Sequence, residues 1–219
     1  MIEKILPAAA AAADEFGDPA EAVVFPGEED VIANAVDKRR REFITARHCA
    51  RRALAGLGVP PGPIGRGERG APQWPAGIVG SITHCAGYRA AAVARDHELV
   101  TIGLDAEPAG PLPDGVLNMV GLPAERDRLA ELAATAPGTH WDRLLFSAKE
   151  SVYKAWFPLA RRWLGFEDAD ITLGLDGTFT ARLLVGGPEV QGEPLAGFSG
   201  RWLSEGGLVL TAIALAPKA

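Results

Sequence analysis

Two long helical patterns, each followed by short strand patterns, place the strongest constraint on the fold of this chain of 219 residues. The first helix is predicted over residues 31–57, where glycines and the Pro60-Pro61 pair stop it. The second is predicted over residues 141–164. Two halves that each run from helix to strands indicate an α+β architecture with two similar lobes.

The strand patterns suggest where the two halves meet. Residues 78–84, 88–94 and 99–105 predict a small antiparallel meander. Asp176-Gly177 and Gly206-Gly207 predict hairpin turns in the second half. The halves meet near Asp105, so that the predicted lobes are residues 1–104 and 105–219, with a cleft between them as the natural site. The remaining predictions are a short helix over 124–134 and strands over 171–175, 179–185, 198–203 and 208–215.

Composition and charge argue against several classes of protein. The net charge of −6 disfavours a nucleic-acid-binding face, because phosphate backbones require a clustered positive field. No apolar run approaches the ~20 residues of a membrane helix. Two cysteines give no disulfide framework, and the first residues form no persuasive secretory signal. We therefore expect a cytoplasmic protein that binds neither nucleic acid nor membrane.

Arg39 and Arg47 flank the apolar stripe of the first predicted helix, whereas Arg41 and Arg52 lie nearly opposite and are interpreted as solvated charges. We therefore expect Arg39 and Arg47 to point inward. A buried guanidinium must find an anion, which is either a structural carboxylate or a phosphate. The glycine-rich loop around Arg66 is either a flexible connection or a further donor to that phosphate.

The strand predicted over 78–84 ends in Thr83 and His84, which either face a cleft or are simply packed and hydrogen-bonded. Asp105 and Glu107 lie two residues apart on extended chain and therefore project to the same side. Like charges at this distance repel unless a cation compensates them, and Mg²⁺ accepts a few carboxylate oxygens. The pair indicates a metal site, although Asp-x-Glu also occurs often by chance.

Glu150 lies on the apolar stripe of the second predicted helix, beside Phe146 and Tyr153. Lys154 follows four residues later, so that one interpretation is a surface ion pair between helix neighbours. A surface pair would not require aromatic neighbours. The other interpretation is a carboxylate that holds a cation, flanked by Lys149 and Lys154, in a site for a metal and its phosphates.

Five segments, in this order along the chain, resemble the Sfp-like 4′-phosphopantetheinyl transferases. The resemblance implies a pseudo-dimer of two α+β lobes with the site between them. It also implies that the phosphopantetheine arm of coenzyme A moves to a serine of an acyl- or peptidyl-carrier protein, which releases 3′,5′-ADP. The segments are Arg39 to Arg47, Arg66 to Pro75 with Gly-Ala-Pro-Gln-Trp-Pro, Ser81-Ile-Thr-His84, Gly103-Leu-Asp-Ala-Glu107 and Phe146-Ser-Ala-Lys-Glu-Ser-Val-Tyr-Lys154.

The same resemblance implies a role for each polar residue. Asp105, Glu107 and Glu150 would hold Mg²⁺ against the pyrophosphate. Lys149 and Lys154 would neutralise its oxygens, and Glu150 would help to deprotonate the carrier serine. Asp105, Glu150 and Lys154 are thus the implied catalytic residues. The residues implied to bind the 3′-phosphate and nearby nucleotide groups are Arg39, Arg47, Arg66, Thr83 and His84.

The segment from Leu112 to Arg128 is implied to meet the carrier protein. Its apolar side chains fit a groove for a partner helix, but they are equally consistent with the core packing of a small helix. Paired lobes within one chain favour a monomer. Two other functions stay open: a coenzyme A-binding protein without turnover, and a metal-dependent phosphohydrolase, which explains the apolar segment poorly.

Overall fold

The computed structural model describes residues 1–218 and has an α+β fold, as predicted. Its two long helices pack on separate antiparallel sheets. The helices are α1 (Glu29–Ile32), α2 (Asp37–Gly56), α3 (Val116–Val120), α4 (Pro123–Thr135) and α5 (Trp141–Ala160). The strands are β1 (Ala11–Phe16), β2 (Ile78–Cys85), β3 (Tyr88–Arg95), β4 (Thr101–Pro108), β5 (Ala169–Leu173), β6 (Thr178–Leu183), β7 (Glu189–Val190), β8 (Glu193–Pro194), β9 (Gly197–Glu205) and β10 (Leu208–Leu215).

The smaller sheet has the strand order β1-β3-β2 and is covered by α2, whereas the larger has the order β4-β10-β9-β6-β5 and is covered by α5. β7 and β8 form a separate ribbon. No helix within residues 1–218 is both long and apolar enough to cross a membrane. The similarity of the two predicted lobes stays a prediction.

β2 and β4 join the two sheets without pairing as strands. The backbone N–H of Leu104 donates to Ser81 Oγ at 3.0 Å, and that of Ala106 donates to Thr83 Oγ1 at 3.0 Å. Because these hydroxyls are buried between the sheets, they satisfy backbone donors that no neighbouring strand reaches. The end of β2 is thereby fixed beside Asp105.

The structure corrects the predicted meander in two places. β1, in the alanine-rich segment that was not predicted to be a strand, pairs with one edge of β3 and β2 pairs with the other. β4 therefore has no place beside β3, and it pairs along its whole length with β10, about a hundred residues later. The predicted boundary between residues 104 and 105 lies inside β4, and this division of the chain stays a prediction.

Local backbone geometry sets the ends of the long helices. The first predicted helix is interrupted, because α1 ends at Ile32 and Val36 is extended before α2 begins. α5 ends at Ala160, earlier than predicted, because Arg161 adopts a left-handed conformation with φ of 52°. Both predicted hairpin turns are present, with positive φ at Gly177 and at Gly206 and its neighbour.

Gly103 allows β4 to lie directly against the backbone of α5. A Cβ atom at this position would stand 2.1 Å from the carbonyl oxygen of Ser151 and 2.8 Å from the backbone nitrogen of Ala155. Thr101 Oγ1 reinforces the contact by donating to the carbonyl of Ala155 at 2.9 Å. The close approach holds Asp105, two residues further along β4, beside the same helix.

We expect Gly103→Ala to lower the free energy of unfolding by about 1–3 kcal/mol, because the colliding atoms are backbone atoms that cannot rotate away. Urea denaturation measures this difference. Gly138→Ala is the matched control, since a Cβ atom there meets nothing within 4 Å. Equal stability of the two variants would contradict the prediction.

Candidate active site

Asp105 is a buried carboxylate at the junction between the two sheets. Its Oδ1 atom accepts from Lys154 Nζ at 2.7 Å and lies 3.5 Å from Thr83 Oγ1. Its Oδ2 atom is buried and has no hydrogen-bond partner among the described residues. An unpartnered buried carboxylate oxygen is unfavourable, so that this atom points to a missing donor or cation.

Glu107 lies on the same face of β4, two residues beyond Asp105, as predicted. Its Oε2 atom accepts from Arg143 Nη1 at 3.0 Å, and Arg143 is itself held by the carbonyls of Gly110 and Pro111. Burial and the charge of Asp105 raise the pKa of Glu107 above its ordinary value, although Arg143 opposes the shift.

Glu150 and Lys154 approach this pair from α5. Burial, and then the charge of the Asp105 carboxylate, raise the pKa of Glu150, whereas the charge of Lys154 opposes the shift. Among the described residues, the ion pair of Lys154 is with Asp105 rather than with Glu150. The interpretation of Glu150 and Lys154 as a surface ion pair is therefore wrong.

Asp105 and Glu107 form ion pairs with Lys154 and Arg143, whereas Glu150 forms none within the described residues, and the three carboxylates are not arranged around an ion in advance. Within residues 1–218, no group of three or more His, Cys, Asp or Glu side chains is arranged to hold a metal ion. Their chemistry nevertheless fits a hard cation, which would provide a partner for Asp105 Oδ2 and offset the charge of Asp105, which adds to burial in raising the pKa of Glu107 and Glu150.

Lys149 is not brought to this cluster, which corrects its predicted place at the phosphates. Its Nζ atom donates to the carbonyls of Phe166 and Ala169 at 2.6 and 2.9 Å, and pairs with Glu125 Oε2 at 2.9 Å. The reason is helical geometry. Consecutive residues of a helix are rotated by about 100°, so that Lys149 points away from β4 when Glu150 faces it.

Arg47 points inward, as predicted, and it is 7% exposed. Its Nε atom donates to the carbonyl of Ile64 at 2.9 Å, and its guanidinium lies 3.4 Å from the centre of the Phe43 ring. Burial lowers the pKa of Arg47 to about 10; the nearby carboxylate of Glu28 opposes this shift, and the charges of Arg51 and Arg66 add to it. Glu28 is itself paired with Arg51, and no carboxylate within the described residues forms an ion pair with Arg47.

Arg39 does not point inward, so that this part of the prediction is wrong. Its side chain is 62% exposed and donates to the buried Glu42 at 3.0 Å. α2 begins only at Asp37, and Arg39 therefore lies in its exposed first turn. Glu42, which the sequence reasoning missed, also lies 3.8 Å from Nδ1 of His84. Burial lowers the pKa of His84.

A cleft of about 680 Å³ opens between the glycine-rich loop, β2 and the second half of α5. Thr83 follows Ser81 and Ile82, which line the cleft, and its Oγ1 atom lies 3.5 Å from both Asp105 Oδ1 and Lys154 Nζ. Arg66 is exposed in the loop, and its guanidinium packs beside Gly70. Residues that line the cleft include Arg69, Trp74, Ser81, Glu150, Tyr153 and Lys154.

Comparison with known proteins gives the same family for both halves of the chain. Residues 27–94 match the model of the 4′-phosphopantetheinyl transferase N-terminal domain, and residues 101–198 match that of the 4′-phosphopantetheinyl transferase superfamily. The chain is 56% identical to the 4′-phosphopantetheinyl transferase Svp of Streptomyces mobaraensis, over all of this chain and 91% of that protein. It is 52% identical to PptT of Mycobacterium tuberculosis, over 98% of each chain. The chain belongs to the 4′-phosphopantetheinyl transferase family.

The predicted family and enzyme class are thus confirmed: this transferase moves the phosphopantetheine group of coenzyme A to carrier proteins. The two matched ranges meet in the turn between β3 and β4, where the pairing of the strands also divides the sheets.

Arg143 is a residue of this transferase that the sequence reasoning missed. It lies seven residues, about two turns, before Glu150 on α5, so that the same helical stripe carries both side chains to the carboxylates of β4. That spacing was a usable signal. The missing information was the path of the chain after β4, which provides the carbonyls that hold Arg143.

Proposed function

We propose that the transferase binds the pyrophosphate of coenzyme A at Asp105, Glu107, Glu150 and Lys154, with a Mg²⁺ ion among the carboxylates. The single observation that carries this proposal is the buried, unpartnered Oδ2 atom of Asp105, whose carboxylate charge acts on both Glu107 and Glu150. Bound there, Mg²⁺ would screen the pyrophosphate charge from the attacking hydroxyl and stabilise the departing 3′,5′-ADP.

Each side chain of the cluster then has a distinct task. Lys154, 2.7 Å from Asp105, neutralises pyrophosphate oxygens when the ligand is bound. Glu150 makes no hydrogen bond within the described residues, and its raised pKa makes it a stronger base toward the carrier serine. Arg143 holds Glu107 in place through three hydrogen bonds, of which two reach backbone carbonyls.

The nucleotide end of coenzyme A is proposed to lie toward α2. Arg47 is buried and forms no ion pair, and Glu28, the carboxylate whose charge acts on it, is already paired with Arg51, which favours the phosphate interpretation over a structural carboxylate. Arg39 and Arg66 are exposed and able to close on the 3′-phosphate, while Thr83 lies beside Asp105 and His84 lies beside Glu42, the partner of Arg39. Lys149 has no part in this proposal.

The segment from Leu112 to Arg128 is proposed to meet the carrier protein. Part of its apolar content belongs to the core, since Leu112 and Val120 are buried. Met119 is different, because 74% of its surface is exposed. An exposed apolar side chain on a short helix suits contact with a partner helix. Monomeric state and cytoplasmic location stay predictions.

Mass spectrometry of the carrier tests the reaction. Incubation with coenzyme A, Mg²⁺ and an apo carrier protein should add one phosphopantetheine mass to the carrier serine, and a chelator should stop it. Binding of coenzyme A without any mass gain across fatty acid, polyketide and nonribosomal peptide carriers would favour a protein without turnover. Release of products from coenzyme A without a carrier would favour a phosphohydrolase.

Arg47→Met is expected to raise the KM for coenzyme A by about 10- to 100-fold, because a charge-assisted contact contributes ~1.5–3 kcal/mol. The kcat at saturation should change much less. Arg52→Met is the matched control on the same helix, since Arg52 is exposed. A normal KM for the Arg47 variant would contradict the assignment of the nucleotide end.

Met119→Asp is expected to raise the KM for the apo carrier by about tenfold while leaving the KM for coenzyme A unchanged, because a charge replaces an apolar contact. Steady-state kinetics with each substrate varied in turn separate the two constants. Leu175→Asp is the control, because Leu175 is also an exposed apolar residue and lies outside the segment. Equal effects of the two substitutions would argue against docking at Met119.

A further inference from the structure

Glu125 and Lys149 form an ion pair that is shielded from solvent and separate from the residues proposed for catalysis. Their side chains are 0% and 2% exposed, and the Oε2 and Nζ atoms lie 2.9 Å apart. Lys149 also donates to the carbonyls of Phe166 and Ala169, so that its ammonium has three oxygen partners. The ammonium is therefore fully committed within the protein and unavailable to a phosphate.

Glu125 is equally committed to the backbone. Its Oε2 atom accepts the N–H of Leu122 at 2.6 Å, at the beginning of α4, and its Oε1 atom accepts the N–H of Ile171 on β5 at 2.7 Å. One carboxylate therefore caps α4, holds it to β5 and binds the lysine of α5. Arg128 adds a second tie between α4 and β5, through the carbonyl of Ile171 and the carboxylate of Asp170.

Glu125 and Lys149 connect two parts of the chain that the proposed function uses. Glu125 lies in the segment from Leu112 to Arg128, and Lys149 immediately precedes Glu150. A buried ion pair is not required for stability, because apolar side chains of similar volume often serve as well, but its directional bonds fix one arrangement of the elements that it joins. Here those elements are the segment proposed to bind the carrier and the helix that carries Glu150.

We propose that Glu125 and Lys149 are positioning residues for the carrier protein: they fix the beginning of α4 relative to α5, so that a carrier docked on the segment presents its serine to Glu150. This inference rests on the proposed docking segment. It assigns to Lys149 a role in positioning the carrier protein rather than in binding coenzyme A.

The test is the double variant Glu125→Gln/Lys149→Met, which removes both charges and keeps similar volumes, so that neither charge is left buried alone. It is expected to fold, to show a KM for apo carrier at least fivefold higher, and to keep its KM for coenzyme A within twofold. Each single variant should show a larger carrier defect than the double variant. A purely stabilising pair would change the melting temperature without this selective effect on the carrier KM.

An unchanged carrier KM in the folded double variant would overturn the inference, and so would a rise in the KM for coenzyme A as large as that for the carrier. If the double variant does not fold, Glu125→Asp takes its place with the same two outcomes, because it keeps the charge and shortens the side chain by one methylene. Met119→Asp, which leaves both charges in place, reports separately on the docking segment. An unchanged carrier KM in Met119→Asp would overturn the docking proposal. That outcome is measured on a different variant and is therefore distinguishable from both results that would overturn the inference about Glu125 and Lys149.

Discussion

Asp105→Asn is expected to lower the kcat of phosphopantetheine transfer by about a thousandfold. The substitution removes the charge that binds Lys154 at 2.7 Å and turns an unpartnered carboxylate oxygen into an amide. A lost interaction between a metal and the developing charge is worth several kcal/mol, and ~4 kcal/mol corresponds to about three orders of magnitude in rate. The affinity for coenzyme A should fall less, because the nucleotide end is proposed to bind at Arg47 and its neighbours, away from Asp105.

Steady-state kinetics and calorimetric titration with coenzyme A measure the two quantities on the same preparation. Asp96→Asn is the matched control, because Asp96 is an exposed acid in the turn between β3 and β4. Equal losses of kcat and of coenzyme A affinity would mean that Asp105 only binds the ground state, and retained kcat would contradict its catalytic role.

Glu150→Gln is expected to lower kcat by about 10²- to 10⁴-fold, the usual effect of removing a general base, and yet to stabilise the protein in the absence of metal and ligand. The folded-state pKa of Glu150 is raised by burial and by Asp105. The folded protein therefore binds this proton more tightly than the unfolded chain, and stability falls as pH rises through the window from the ordinary pKa to the raised one. Glutamine is uncharged at any pH and buries no charge, so the variant should be more stable at neutral pH.

Thermal unfolding at pH 7 and at pH 4 checks this prediction. At pH 7 the melting temperature of the variant should exceed that of the wild type by about 2–4 °C for each kcal/mol by which its free energy of unfolding is larger. At pH 4 the two melting temperatures should nearly coincide, because Glu150 is mostly protonated in both the folded and the unfolded state. Glu98→Gln, at an exposed acid outside the cleft, should shift neither melting temperature. A lower melting temperature for the Glu150 variant at pH 7, or an unchanged kcat, would contradict the proposed role.

Sequence periodicity placed some residues of the site correctly and others wrongly, for identifiable reasons. Asp105 and Glu107 share a face because the period of a strand is two, whatever the strand pairs with. Arg39 was misplaced because a helical wheel gives an angle only and does not show that Arg39 lies in the exposed first turn of α2. Lys149 was misplaced because it was assigned by its adjacency to Glu150, whereas consecutive residues of a helix point about 100° apart and Lys149 meets Glu125 and two carbonyls.

The strands show the same limit at a larger scale. The sequence placed β4 well, but it assigned the strand to the meander beside it, whereas its partner β10 lies at the other end of the chain. A hairpin such as that at Gly177 is encoded within a few residues, and it was predicted correctly. Pairing between distant strands depends on which edges remain free after local pairing, and no local pattern records this.

The sequence by itself determined the α+β class, the family, both hairpin turns and the common face of Asp105 and Glu107, because each depends on short-range patterns or on motifs in a fixed order. Only the tertiary structure decided that Lys154 binds Asp105, that Arg143 holds Glu107 and that Lys149 turns to Glu125. Those choices arise where two elements meet, since a charged side chain near several possible partners pairs with the one that packing brings within hydrogen-bonding distance.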